Sequence, residues 1–236
     1  MILDIDIGNT RIKWILRDRD SQMVARGVDF NTLWSERCLP VRKEISRVRV
    51  SSVKGDFDAK ITAYFRNKLG VIAEFAAVID GVTGLKCGYK DTSKLGVDRW
   101  LALLACWQNI CREAIVVGAG TALTVDVLSG HGHQGGFIIP GMVMMKRSLG
   151  VGTWGVKVDE EPAAFLSPAD DTSGAVVNGC LVALVGVVEQ VVRITGITRV
   201  VLAGGDSSLL QQHLARELQL TTVPDLVLDG LAVALP

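Results

Sequence analysis

The sequence predicts an α/β protein made of two halves, and three observations carry the prediction. Short runs alternate apolar with polar residues and end in turns rich in Gly, Asn or Asp, which is the pattern of strands. Between them lie longer stretches with apolar residues at helical spacing. A strand-turn-strand unit, Leu3-Asp4-Ile5-Asp6-Ile7-Gly8-Asn9-Thr10, comes back about 112 residues later as Ile115-Val116-Val117-Gly118-Ala119-Gly120-Thr121. The repeat divides the chain into 1–112 and 113–236, with no low-complexity linker, so the halves are expected to pack closely.

In the first half, residues 1–7 alternate and stop at the Gly8-Asn9-Thr10 turn, and 11–16 resume the strand. Further strands are expected at 21–28, 46–53 and 71–78, with an amphipathic helix over 56–69. A loop over 80–93 leads to a helix over 94–111, with Trp100, Leu101, Leu104 and Trp107 at core spacing. The second half opens with strands at 114–117 and 122–128 around the Gly118-Ala119-Gly120-Thr121 turn, then a turn at 129–134 and a strand at 135–139. Helices follow at 140–149 and 172–195, the latter with Asp170 or Asp171 near its cap. A strand at 199–203 ends in Gly204-Gly205-Asp206, ahead of a helix over 207–218.

Composition narrows the function. With 236 residues and 49% hydrophobic content the chain can bury a sizeable core, which excludes a disordered protein. Lys+Arg and Asp+Glu are both 25, so no surplus of positive charge exists for a phosphate backbone or an anionic membrane. The five cysteines (38, 87, 106, 111 and 180) show no Cys-x-x-Cys spacing and indicate neither a disulfide framework nor a zinc site. Asp4 and Asp6 interrupt the first apolar run, so it is no secretory segment, and a cytoplasmic protein is expected. The longest apolar stretch, 180–188, contains Gly186 and is followed by Glu189 and Arg193, which reads as a buried helix and not a membrane span.

The two repeated turns are the first candidates for chemistry. Glycine lets backbone approach an anion closely, successive turn amides form a concavity for phosphate oxygens, and Thr10 and Thr121 add hydroxyl donors. Asp6 at the strand end could hold a hydrated magnesium against the same phosphates. Lys13, on one strand face with Arg11, could reach a phosphate. The alternatives are an ordinary hairpin and solvated surface charge. No Gly-x-x-x-x-Gly-Lys-[Ser/Thr] is present, which excludes P-loop enzymes. Gly-x-Gly-x-x-Gly occurs at 150–155 without the strand-to-helix context of a dinucleotide site, and is expected to be a loop.

Gly96-Val97-Asp98-Arg99 places an acid beside a cation at the start of an apolar helix. The helix dipole and the guanidinium keep Asp98 ionised and able to take a proton from a hydroxyl. The alternative is an Asp that only stabilises its own helix terminus. His131 and His133 flank Gly132 in an expected turn; with no carboxylate or Cys beside them in sequence, a metal site is the lesser reading. His213 carries no signal.

On these residues the chain resembles type III pantothenate kinases along nearly its full length. The family opening Asp-x-Gly-Asn-[Ser/Thr]-x-x-Lys stands here as Asp6-Ile7-Gly8-Asn9-Thr10-Arg11-Ile12-Lys13, and Gly-x-Asp-Arg as Gly96-Val97-Asp98-Arg99. The second phosphate turn stands as Gly118-Ala119-Gly120-Thr121-Ala122. Tyr89, the run from His133 to Gly141, and Thr172 with Asn178-Gly179-Cys180 also match. The resemblance implies duplicated actin-like (ribonuclease H-like) domains, each with a central mixed sheet. It implies that residues 6–13 and Thr121 hold ATP with Mg2+, that Asp98 is the base, and that Tyr89 and 96–99 bind pantothenate. It also implies a homodimer in which Thr172 reaches the partner's pantothenate, and it makes Gly204-Gly205-Asp206 a looser match to an adenosine turn.

The reaction so implied transfers a phosphoryl group from ATP to the terminal hydroxyl of pantothenate, giving 4'-phosphopantothenate, the first step of coenzyme A biosynthesis. The chain departs from the family at Gly118, where an Asp coordinates a monovalent cation (K+ or NH4+). Asp126, two residues beyond Thr124, is a possible substitute. Two other readings stay open: a pseudokinase that binds pantothenate or ATP without turnover, and a transcription accessory factor, for which the balanced charge gives no DNA footprint.

Overall fold

The computed structural model describes residues 1–30, 39, 43–153 and 163–236. They form two compact units, Met1–Ile110 with Asp225–Pro236, and Cys111–Pro224. Cys38, Trp154 and Gly155 lie outside the described residues.

The first unit is a five-stranded mixed sheet. Its strands are β1 (Ile2–Ile7), β2 (Arg11–Arg17), β3 (Met23–Phe30), β4 (Arg47–Ser52) and β5 (Ala73–Phe75), in the order β3-β2-β1-β4-β5. β1–β2 and β2–β3 are antiparallel, whereas β1–β4 and β4–β5 are parallel. A parallel step needs a crossover, and α1 (Gly55–Leu69) supplies the one between β4 and β5. Leu3, Ile5, Ile7, Ile12, Val48, Val50, Ile61 and Phe65 are buried together in its core. α2 (Val97–Asn109) is shorter than the expected 94–111 because Thr92–Lys94 forms a separate 3-10 turn capped by Asp91.

The closing helix α6 (Leu226–Ala234), which no periodicity announces, packs in this first unit, whereas sequence position alone assigns it to the second half. Gly230 lies so close to α2 that a Cβ there would meet Leu101 O at 2.1 Å. A buried ionic network also holds it. Asp4, wholly buried, accepts from Arg49 Nε (2.6 Å), Arg49 Nη2 (2.9 Å) and Arg17 Nε (2.9 Å). Arg17 Nη2 donates onward to Asp229 Oδ1 at 2.8 Å, and Arg49 Nη1 to Leu235 O at 2.9 Å. A buried carboxylate is tolerated only when paired in this way, so Asp4 is structural.

The second unit repeats the topology. Its strands β6 (Ala114–Ala119), β7 (Ala122–Ser129), β8 (Gly132–Pro140), β9 (Arg199–Ala203) and β10 (Gln219–Thr222) run in the order β10-β9-β6-β7-β8. As in the first unit, the opening strand is central, flanked by its own hairpin on one side and by parallel strands on the other. α3 (Met142–Gly152) runs on through Gly150 and Gly152, so these two glycines are helical and not in the expected loop. β8 begins at Gly132 where a turn was expected to 134, which puts His133 in a strand. The helix expected over 207–218 stops at His213 as α5 (Ser207–His213), and β10 occupies 219–222.

α4 (Thr172–Thr195) matches its expected bounds and is capped by Asp171, whose Oδ1 accepts from Gly174 N at 2.9 Å. It is long and apolar enough to cross a membrane by length and composition alone. Its Leu181, Leu184, Val185 and Val188 are buried with Ile115, Val117, Val200 and Leu202 of the sheet.

Candidate active site

The β1–β2 turn is built by backbone. Gly8 N donates to Arg11 O at 3.0 Å, leaving Asn9, Thr10 and Arg11 exposed at the tip. Ile7 and Ile12 are wholly buried, so only their main chain could meet a nucleotide. Strand register places Lys13 directly across β2 from Asp6, and Ser51 directly across β4 from it. Asp6 Oδ1 is withdrawn from solvent and has no hydrogen-bond partner among the described residues, and the buried Ser51 hydroxyl is likewise unmatched. Burial pushes the Asp6 carboxyl up to about 6; the Asp98 carboxylate adds to the rise, while Ser51 and Lys13 oppose it. The two acids singled out in the sequence therefore lie within electrostatic reach of one another.

Asp98 is the second residue of α2, and its Oδ1 accepts from Arg99 N at 2.8 Å. Such a bond fixes the carboxylate at a helix N-terminus, so the stabilising reading of this residue and the functional one are compatible. Gly96 has a steric reason: a Cβ there would lie 2.6 Å from Asp98 Oδ1. Arg99 is only 6% exposed; its Nη1 donates to Tyr89 Oη at 2.9 Å, and the guanidinium lies 5.6 Å from the Tyr89 ring centroid. Tyr89 and Arg99, ten residues apart, are thus one assembled pair. Gly96 and Val97, which precede Asp98 in the chain, line a cleft of about 520 Å³ whose other walls include Ser52, Val53, Val78 and Lys94. That volume suits a small metabolite.

In the second unit three turns converge. Gly120 N donates to Ala122 O at 3.1 Å, Gly141 N to Thr121 O at 2.9 Å, and Asp206 N to Ala119 O at 3.1 Å. Gly204, at φ +95°, sits where a Cβ would meet Ala119 O at 2.2 Å. The turn at 118–121 and the one at 204–206 are therefore in direct contact, with Thr121 exposed. Gly118 stands opposite Thr124, and a Cβ at Gly118 would lie 2.6 Å from Thr124 Oγ1. The hydroxyl of Thr124 thus occupies the space an Asp side chain would need.

The histidine reading changes. His133 is buried in β8, and its Nε2 lies 2.9 Å from Asp126 Oδ1, so register supplies the carboxylate that the local sequence lacks. Asp126, also buried and opposite Val116, is engaged inside the sheet and is poorly placed as a substitute ligand beside Gly118. Thr172 is exposed at the first position of α4. Asn178 fastens the preceding segment, accepting from Phe165 N and donating to Ser167 O, each at 2.8 Å. Among the described residues no group of three or more His, Cys, Asp or Glu could hold a metal by itself. An orphaned carboxylate oxygen at Asp6 nevertheless suits Mg2+, which keeps several waters and binds through one or two carboxylates plus substrate phosphates.

Sequence reading did not single out Ser51 or Thr124, which stand opposite Asp6 and Gly118 through strand register; only the paired serines Ser51-Ser52 at a strand end gave any local signal.

A family model described as type III pantothenate kinase matches residues 2–194. The chain is similar to a type III pantothenate kinase from Ectopseudomonas mendocina, 36% identical over 249 residues that cover 100% of this chain and 99% of the relative. Among solved structures it is similar to a candidate 2-dehydro-3-deoxygalactonokinase from Sinorhizobium meliloti, with a TM-score of 0.63 at 12% identity over 99% of this chain and 95% of the other. It is also similar to a candidate Baf-family transcriptional activator from Campylobacter jejuni, with a TM-score of 0.62 at 19% identity over 98% and 95%. The last two likenesses concern the fold alone.

Proposed function

The chain belongs to the type III pantothenate kinase family, and we propose from this premise which of its residues carry the reaction. It is an ATP-dependent pantothenate kinase with an actin-like α/β fold. Our assignment rests on one observation above all: Asp98 is fixed at the start of α2 beside a metabolite-sized cleft and within electrostatic reach of Asp6.

Asp98 is the base, orienting the terminal hydroxyl of pantothenate and taking its proton as the phosphoryl group arrives. Tyr89 and residues 96–99 bind pantothenate, Arg99 acting in part by holding Tyr89. Residues 6–13 and Thr121 hold ATP, with turn amides and Lys13 placed to stabilise charge on the transferring group. Asp6 would hold Mg2+, which neutralises phosphate charge when bound. The unmatched Oδ1 supports this reading, since a buried carboxylate oxygen without a partner is costly unless a ligand completes it. At Gly118 no carboxylate is available and Thr124 fills the space, so dependence on potassium or ammonium is weak or absent.

The enzyme is a cytoplasmic homodimer in which Thr172 contributes to the partner's site, with no nucleic-acid or membrane partner. Exposed Phe137, Ile138, Val143, Met144 and Val182 support the dimer, because so much apolar surface favours a protein partner. The regulatory reading gains nothing from a likeness that shows fold alone. The purified protein with ATP and magnesium is expected to release ADP only when pantothenate is added; nucleotide binding without that release would favour the pseudokinase.

A further inference from the structure

Gly81 and Gly84 both stand at φ +82°, where glycine is at ease, but Thr83 between them stands at φ +54°, ψ +19°. A β-branched residue in the left-handed region is a conformational outlier that costs free energy and persists only where its surroundings over-determine it. The turn closes on itself: Gly81 N donates to Leu85 O at 2.9 Å, Gly84 N to Gly81 O at 3.0 Å and Leu85 N to Val82 O at 3.0 Å. Asp80 Oδ1 accepts from Cys87 N at 2.7 Å, and the Leu85 side chain is wholly buried. A tie from outside the turn comes from Trp107, near the end of α2, whose Nε1 donates to Thr83 O at 3.1 Å.

Further along the same segment, Tyr89 Oη accepts from Arg99 Nη1 at 2.9 Å. The segment is therefore fastened to α2 twice, by Trp107 near the end of the helix and by Arg99 near its start. Arg99, Leu103 and Trp107 follow one another at four-residue spacing, all three buried, so they share one face of the helix. At 1.5 Å per residue the two fastenings lie about 12 Å apart along its axis. Thr83 meets the far end and Tyr89 the near end, so the segment runs opposite to the helix along that face.

Building on the reading that Tyr89 binds the substrate, we propose that Trp107 is a positioning residue: its indole N–H holds Thr83 in the left-handed conformation and so sets where the segment delivers Tyr89. Trp107 acts from the far end of the helix and touches neither the substrate nor the reacting atoms. Without its bond, Thr83 relaxes toward negative φ, the chain leaving the turn is re-aimed, and the Tyr89–Arg99 bond is left to hold the alignment by itself.

The test is Trp107→Phe, which keeps a buried ring and deletes the donor, alone and combined with Thr83→Asn, since Asn enters the left-handed region more readily than Thr. Thr83→Pro, at an exposed position, forbids a positive φ and breaks the turn without altering the core. In Trp107→Phe the KM for pantothenate should rise about fivefold, within the worth of one neutral hydrogen bond, while kcat and the KM for ATP stay within about twofold. Thr83→Pro should show the same split, and Thr83→Asn should recover most of the loss in the double variant. Hydrogen exchange at the amides of Gly84 and Leu85 should quicken in Trp107→Phe and slow again in the double variant. Unchanged exchange in Trp107→Phe, an unaltered KM for pantothenate in the folded variants, or equal rises in KM for both substrates would overturn the role of Trp107. A parent enzyme whose ADP release ignores pantothenate would instead overturn the kinase reading, and the positioning role with it, even where the exchange result holds.

Discussion

Asp6 carries a cost in the ligand-free protein, since its carboxyl is held at about 6 against an ordinary 3.8 by burial and by Asp98. A raised value means the folded state prefers the protonated form. The stability contributed is fully present below pH 3.8 and is lost as pH rises through about 6. Ionisation at neutral pH then costs about 1–3 kcal/mol, discounted for the partial exposure of the residue. Asp6→Asn should therefore raise the thermal midpoint at pH 7.5 by a few degrees, with the gain shrinking toward pH 4, while turnover collapses. A midpoint that falls, or a gain independent of pH, would show that the carboxyl is not destabilising. At this scale the sequence was informative where chemistry is local: Asp6, Asp98 and the glycine beside it sit in short motifs. Ser51 was not legible because its place next to Asp6 depends on the register of β1 with β4, a pairing of residues 45 positions apart.

Among the elements, the β6–β7 hairpin is what the proposal of weak potassium dependence rests on. Gly118 and Thr124 are directly opposed, and the Thr124 hydroxyl stands 2.6 Å from where a Cβ at Gly118 would go. The parent enzyme should keep most of its activity in a buffer free of sodium, potassium and ammonium. Strong saturable activation by millimolar potassium would contradict this. Gly118→Asp alone should be destabilised by about 1–3 kcal/mol, the usual range for overpacking, and Thr124→Ala should relieve it. Elements with strong periodicity, β1, β2, α1 and α4, were legible almost to their ends. β10 and α6 were not: the first is only four residues long, and the second is apolar nearly all round, so neither offers a period to read. The place of α6 in the first unit follows from Asp4, Arg17, Arg49 and Asp229, whose network no local pattern reveals.

At the scale of the whole molecule, the duplicated topology was legible from one repeated turn, because each central strand opens its own unit and carries that turn at its end. The exposed apolar residues of β8, α3 and α4 are the surface that the proposed dimer would cover. Sedimentation at micromolar concentration should show a dimer; a fully active 25.3 kDa species would remove the shared-site proposal. If Asp98 takes the proton of the pantothenate hydroxyl, as proposed, pantothenate-dependent ADP release by Asp98→Asn is the decisive measurement. The variant should fold, still bind ATP and pantothenate, and turn over roughly 10²-fold or more slowly, the usual worth of a positioned base. Turnover within a few-fold of the parent would contradict it.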